Sequence, residues 1–270
     1  YLKYIFFIFI IGLTAIFSYS YFVAFQSHYI AANKYALAEA KASFNKDLLY
    51  RRWASIHGGV YVSVTESTPP NPYLYFVKER DIETPAGVKL TLVNPAYMTR
   101  QVHQVSEDQY GVKGHITSLK PIRPENFADE WETRILKKFE GKTREYYDIF
   151  STDTNKYLRY MHVMITEKKC LKCHEHQGYK EGDIRGGISV SVPLNNYYSV
   201  ALSLSKNEAI THILIYLSVL FIGFYSYRKL TKEMLATQNL NSRLIKNEID
   251  LNRQNSALAA LNDEYVKVNQ

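Results

Sequence analysis

Two uncharged apolar runs constrain this chain more than any other feature. Tyr4 to Phe25 reads YIFFIFIIGLTAIFSYSYFVAF, and Ala209 to Tyr227 reads AITHILIYLSVLFIGFYSY. Each meets the length of about 20 apolar residues that an α-helix needs to cross a hydrocarbon core. The first run exceeds the ~7–15 residues of a signal-peptide core and no small-residue cleavage site follows it, so a retained anchor is expected. Lys3 precedes the first run, while Arg228, Lys229 and Lys232 follow the second. Basic residues beside a span stay preferentially in the cytoplasm. Both termini are therefore expected inside a bacterial cytoplasmic (inner) membrane, with the middle of the chain in the periplasm. The expected division is a first span at 1–27, an extracytoplasmic domain with an N-terminal stalk helix at 28–208, a second span at 209–227 and a cytoplasmic helix at 228–270. A first residue other than Met and a helical pattern still running at Gln270 fit a piece of a longer protein.

Between the spans, the Ala/Lys-rich stretch Tyr29 to Trp53 has helical propensity and is expected to continue the first span outward. Strands are predicted at Gly58 to Val64, Val88 to Val93, His115 to Leu119, Tyr146 to Phe150, Tyr157 to Ile165 and Gly187 to Val192, where β-branched and aromatic residues sit between turn signals. Helices are predicted at Glu125 to Phe139, around Lys168 to His176 and at Asn195 to Glu208. The mixture predicts an α+β fold, most simply one antiparallel sheet with helices on one side. Beyond the second span a heptad reading places Leu230, Thr237, Leu244, Leu251, Leu258 and Tyr265 at one seam position. Glu233, Leu240, Asn247, Gln254, Leu261 and Val268 take the other. The pattern predicts a parallel coiled coil and hence a homodimer, with Asn247 and Gln254 setting its register.

The net charge is +7, yet acidic residues are interleaved with the basic ones through most of the chain. This describes a solvated surface rather than a phosphate-tracking stripe, and no nucleic-acid partner is expected. Among 270 residues there are only two cysteines, and both fall in Cys170-Leu171-Lys172-Cys173-His174. C-x-x-C-H is the pattern of c-type haem attachment, in which two thiols bond the macrocycle and the His ligates iron. Positions three apart on a helix face the same way, so both thiols reach one macrocycle edge while the next residue turns toward the metal. A redox-active pair, half a zinc site and a plain disulfide are the competing readings, and none accounts better for the adjacent His. One covalent haem c is expected.

Longer blocks carry a resemblance. RRWASIHGGVYV (Arg51 to Val62), TPPNPYL (Thr68 to Leu74), LTLVNPAYMTRQV (Leu90 to Val102), GHITSLKPIRPENFADEWE (Gly114 to Glu132) and CLKCHEHQGYKEGDIRGGISVSVP (Cys170 to Pro193) together resemble the extracytoplasmic PAS-like c-type haem sensor domain of bacterial histidine kinases and chemoreceptors. The resemblance implies a PAS-like antiparallel sheet with flanking helices and a sensory role with a cytoplasmic signalling output. No kinase or methyl-accepting region is present in these residues.

The face of the iron opposite His174 decides between electron transfer and ligand sensing. His57 is the first candidate for it, because Gly58 and Gly59 permit close backbone approach to a planar group. Met98 and His115 are the alternatives, and His103, His162 and His176 are read as surface or structural. Arg100, Arg123 and Arg185 are candidate partners of the haem propionates, since a guanidinium offers a carboxylate two parallel donors. Trp53, Tyr97 and Trp131 are candidate pocket aromatics. No nucleophile–base arrangement or phosphate-cradling glycine loop occurs, so no catalytic activity is expected. The favoured function is a membrane-bound sensor of redox state or of a small diatomic gas such as nitric oxide. The alternatives are a membrane-anchored monohaem cytochrome and, more distantly, a haem peroxidase.

Overall fold

Helix α1 (Leu2–Ile56) buries Ala32, Ala36, Ala40, Phe44, Asp47, Arg51 and Ala54. Steps of three and four residues put them on one stripe. The chain leaves α1 through Gly58 and Gly59, both at positive φ. Gly59 N–H donates to the Ala54 carbonyl at 2.8 Å and Gly58 N–H to that of Ser55 at 3.3 Å. These paired bonds form a Schellman C-cap, which requires a residue tolerant of left-handed backbone. The structure, a computed structural model, describes residues 1–139, 143–152, 155–174 and 177–268, without the side chains at 169, 172, 173 and 263–268. It divides into two units, Gln26–Leu204 and Tyr1–Phe25 with Ser205–Gln270.

In the first unit the strands are β1 (Val60–Ser63), β2 (Asp81–Glu83), β3 (Lys89–Val93), β4 (Lys113–Thr117), β5 (Glu145–Ser151), β6 (Lys156–Ile165) and β7 (Ile184–Pro193). They form two antiparallel sheets, in the orders β1-β3-β2 and β4-β7-β6-β5. The other helices are α2 (Pro95–Tyr110), α3 (Glu130–Lys138), α4 (Lys168–His174) and α5 (Asn195–Val268). Two departures from the expected fold matter. There are two sheets rather than one, because α2 follows β3 directly and separates the early strands from the late ones. The larger sheet is also covered on both faces. Alternate residues of β6 show this: Leu158 and Tyr160 pack with Ala36, Ala40 and Phe44 of α1, while Met161 and Val163 pack with Ile135, Leu136 and Phe139 of α3. A period of two with both phases apolar is what a doubly covered strand requires.

Helix α3 is tied to its sheet by one carboxylate. Asp129 caps the helix and Glu132 returns the bond, a reciprocal capping box. The Glu132 side chain is fully buried and also accepts Arg159 Nη2 of β6 at 2.7 Å, Ser189 Oγ of β7 and His115 Nδ1 of β4 at 3.0 Å. Three adjacent strands thus donate to one group on the helix. Burial alone would raise the pKa of Glu132, but the His115 hydrogen bond, with Ser189 and Arg159, holds it down at about 2. The Glu132 hydrogen bond conversely raises that of His115.

In the second unit, α1 and α5 each contain a stretch long and apolar enough to cross a membrane. They are joined by hydrogen bonds between Thr14 and Tyr216 at 2.8 Å and between Ser20 and His212 at 3.1 Å. Phe6 stacks on Tyr227 with ring centroids 4.7 Å apart. At Gly223 an added Cβ would lie 2.9 Å from the Phe9 ring, so a small residue lets the helices approach. Further along α5, Leu230, Leu240, Leu244, Leu251, Leu258 and Leu261 are exposed.

Replacing Glu132 removes the buried acceptor that Arg159, Ser189 and His115 share, leaving Arg159 its ion pair with Asp129 at 2.6 Å. Glu132→Ala is expected to cost about 3–5 kcal/mol of unfolding free energy, measured as a lower urea midpoint for the detergent-solubilised chain. The pH dependence follows from the two shifts. The stabilisation from His115 is complete below its ordinary 6.5 and is lost as pH rises through its raised folded value. That from Glu132 is complete above its ordinary 4.5 and is lost as pH falls toward about 2. Thermal stability should therefore crest between 4.5 and 6.5, and Glu132→Gln should flatten that crest in a pH series of melting curves.

Candidate cofactor-binding site

The ends of β4, β6 and β7, the first turns of α2, the loop after β4 and the end of α1 converge on a cleft of about 850 Å³, its open mouth included. Leu74, Phe76, Tyr97, Ile116, Ile122 and Met164 give it apolar walls. Arg51, Arg100, Lys120, Arg123 and Arg185 also line it, as does His174, and among the described residues no carboxylate does.

Local structure explains how each cation arrives. The Asn94 side chain caps α2 by accepting Tyr97 N–H at 2.9 Å, and Pro95 follows at the first helical position. Ala96, Tyr97 and Arg100 then share a face, with Arg100 lying 4.4 Å over the Tyr97 ring. Burial and neighbouring Arg123 lower the pKa of Arg100. Arg123 itself pairs with Glu125 at 3.1 Å. Arg185 comes from a bulge: Met164 pairs with Gly186 and Ile165 with Ile184, leaving Arg185 as the extra residue of β7. Bulges commonly re-aim a side chain beside a site. Arg51, only 8% exposed, enters from α1. Its Nη1 makes two long contacts of 3.5 Å, to the Pro95 carbonyl and Thr99 Oγ1, and its Nε has no partner among the described residues. Burial and then Arg185 pull its pKa down to about 10.

His174 closes α4. Its Nδ1 donates to Gln177 Oε1 at 2.6 Å, and Gln177 Nε2 donates to the Lys120 carbonyl at 3.1 Å. The relay ties α4 to the loop after β4 and places the imidazole proton on Nδ1, the tautomer with its lone pair on Nε2. Cys170, partly buried on the same helix, lies within electrostatic reach of Arg51. The Cys173 side chain and His176 lie outside the described residues.

Of the residues singled out in the sequence, Arg100, Arg123, Arg185, His174 and Tyr97 come together here. His57, Met98 and His115 do not line the cleft. His57 is exposed beside Trp53, ring centroids 4.6 Å apart, because its glycines serve the helix cap. Met98 sits on α2 between Tyr97 and Arg100, and the turn of 100° per residue carries it off their face. His115 has both ring nitrogens committed, one to Glu132 and the other to the Glu125 carbonyl at 3.0 Å. Trp131 lies instead against Arg159, 4.6 Å from its guanidinium. His103 and His162 are structural, the first bonded to Asp47 at 2.6 Å and the second stacked on Phe44. Arg51, Met164 and Gln177 escaped the sequence reading. Arg51 left a signal, since it and Asp47 occupy the stripe otherwise held by Ala36, Ala40, Phe44 and Ala54. Met164 and Gln177 left none.

Fold and site together define an α+β domain whose cationic cleft abuts a short helix bearing Cys and His. The chain belongs to the Tll0287-like family, whose pattern matches residues 31–193. It is similar to a solved structure described as that of the cyanobacterial heme-protein Tll0287, at 13% identity over 58% of this chain and 94% of that one, with a TM-score of 0.38. No curated protein matches the chain.

Proposed function

We propose that the cleft holds one c-type haem, attached at Cys170 and Cys173 and ligated by His174, and that the protein is a membrane-bound haem-based sensor. The observation that carries this reading is the complementarity of the cleft. A haem is an apolar disc with two carboxylates, and the lining offers apolar walls and five cations, of which Arg123 also pairs with Glu125, with no acid among its described residues. Membership of a family named after a haem protein supports the same cofactor. When bound, the haem supplies a one-electron couple and an iron site open to diatomic gases.

The chain's own residues orient and insulate that group. Gln177 holds His174 in one tautomer and orientation. Arg100, Arg123 and Arg185 would take up propionate charge, and Met164 contributes to the apolar lining. In this reading 1–27 and 209–227 cross the cytoplasmic membrane with both ends inside, and 28–208 form a periplasmic, PAS-like sensor domain. Segment 228–270 pairs with a second copy as a coiled coil, which its exposed leucines support. It would pass the signal to an output such as a histidine kinase. The stimulus is redox poise or a small gas, and no catalytic step is assigned.

The test is haem staining of the full chain after denaturing electrophoresis, followed by absorption spectra of both redox states with and without carbon monoxide and nitric oxide. Wild type should keep its stain, and the Cys170→Ser, Cys173→Ser variant should lose it; a stain surviving both substitutions sinks the proposal. A six-coordinate ferrous spectrum indifferent to both gases would exclude gas sensing, leaving redox sensing or an electron carrier. Gln177→Leu should raise the reduction potential, because losing the acceptor on Nδ1 makes His174 a poorer donor to ferric iron. Redox titration of the purified variant checks the sign.

A further inference from the structure

We infer that Arg51 is the residue through which the cleft acts on α1: its guanidinium binds a carboxylate of the bound ligand, and that bond pins the end of α1 to the cleft wall. The inference rests on the haem reading, in which the carboxylate is a propionate.

Arg51 is more than nine-tenths buried, makes no ion pair among the described residues and leaves Nε without a partner. A buried cation in that condition is costly unless a ligand completes it. Asp47, one turn earlier, is an electrostatic neighbour of Arg51 but makes no ion pair with it, and its Oδ2 is bonded to His103 at 2.6 Å. A second guanidinium, Arg185, is near enough to repel it, and two guanidinium groups around one empty space form a receptor for an anion. The other arginines with known contacts have outlets, Arg100 on the Tyr97 ring and Arg123 on Glu125.

Position makes this contact more than one anchor among several. Arg51 is the α1 residue of the cleft lining, whereas Arg100, Arg123 and Arg185 stand on α2, the loop after β4 and β7. α1 also carries the first apolar run. A change in ligand charge or position therefore reaches α1 directly through Arg51, which has two arrangements. In one it is bonded to the ligand; in the other it falls back on the long contacts to Pro95 and Thr99. Such a two-state contact is what a coupling element requires.

The test is hydrogen–deuterium exchange of the haem-loaded full chain in lipid nanodiscs, read on peptides spanning residues 47–56. Wild type should exchange there at least tenfold more slowly than the haem-free Cys170→Ser, Cys173→Ser chain. Arg51→Gln should keep its haem stain yet exchange as the haem-free chain does. Arg134→Gln, exposed on α3 and outside the cleft lining, should retain wild-type protection, and Arg51→Lys, with charge but no fork, should fall between. Arg51→Gln should also lower the reduction potential, since an unmatched propionate favours ferric iron. The inference is overturned if haem-loaded Arg51→Gln is protected like wild type, if Arg51→Lys is indistinguishable from wild type, or if wild type is equally protected with and without haem. A wild-type chain without haem stain would instead bring down the haem reading itself.

Discussion

The Glu132 carboxylate organises the domain. It sits on α3, fully buried, and draws donors from β4, β6 and β7, adjacent in the sheet. An ion in this position is stable only when every lone pair is met, so the contact specifies both the helix position and the strand register beneath it. Shifting β6 by one residue would turn Arg159 to the opposite face and remove the charge that matches Glu132. The cleft lies at the ends of these same strands, and its geometry inherits their register. The bulge that frees Arg185 is defined only relative to the pairing of Met164 with Gly186.

The two faces of the larger sheet divide the labour. One face, under α3, holds the Glu132 network and an apolar cluster. The other lies against α1, whose small residues allow close packing before the stripe turns charged at Asp47 and Arg51. That change of character coincides with the cleft. Cations gather there from four separate elements with no acid among the described lining residues, so their charges repel one another.

Much of this was legible before any coordinates. The late strands, α4 and the two apolar helices follow from composition and periodicity, and the Asn94-Pro95 start and Gly111 stop of α2 are local signals of the same kind. His57 shows the limit of such reading. Paired glycines suit both close approach to a flat cofactor and the end of a long helix, and the hydrogen bonds to Ala54 and Ser55 identify the second use. His115 shows the same limit, since an imidazole in a strand carries no local mark of the acid that will meet it.

By itself the sequence determined what is local: the Cys170, Cys173 and His174 spacing, two stretches apolar enough to span a bilayer, and the alternation that builds the sheet. Tertiary structure decided which distant residues share a space. Arg51, Arg100, Arg123, Arg185 and His174 span more than a hundred positions of chain, yet line one cleft. No short-range pattern encodes that assembly, because it depends on strand order, on a one-residue bulge and on how α1 ends, and each is settled by packing rather than by neighbouring residues.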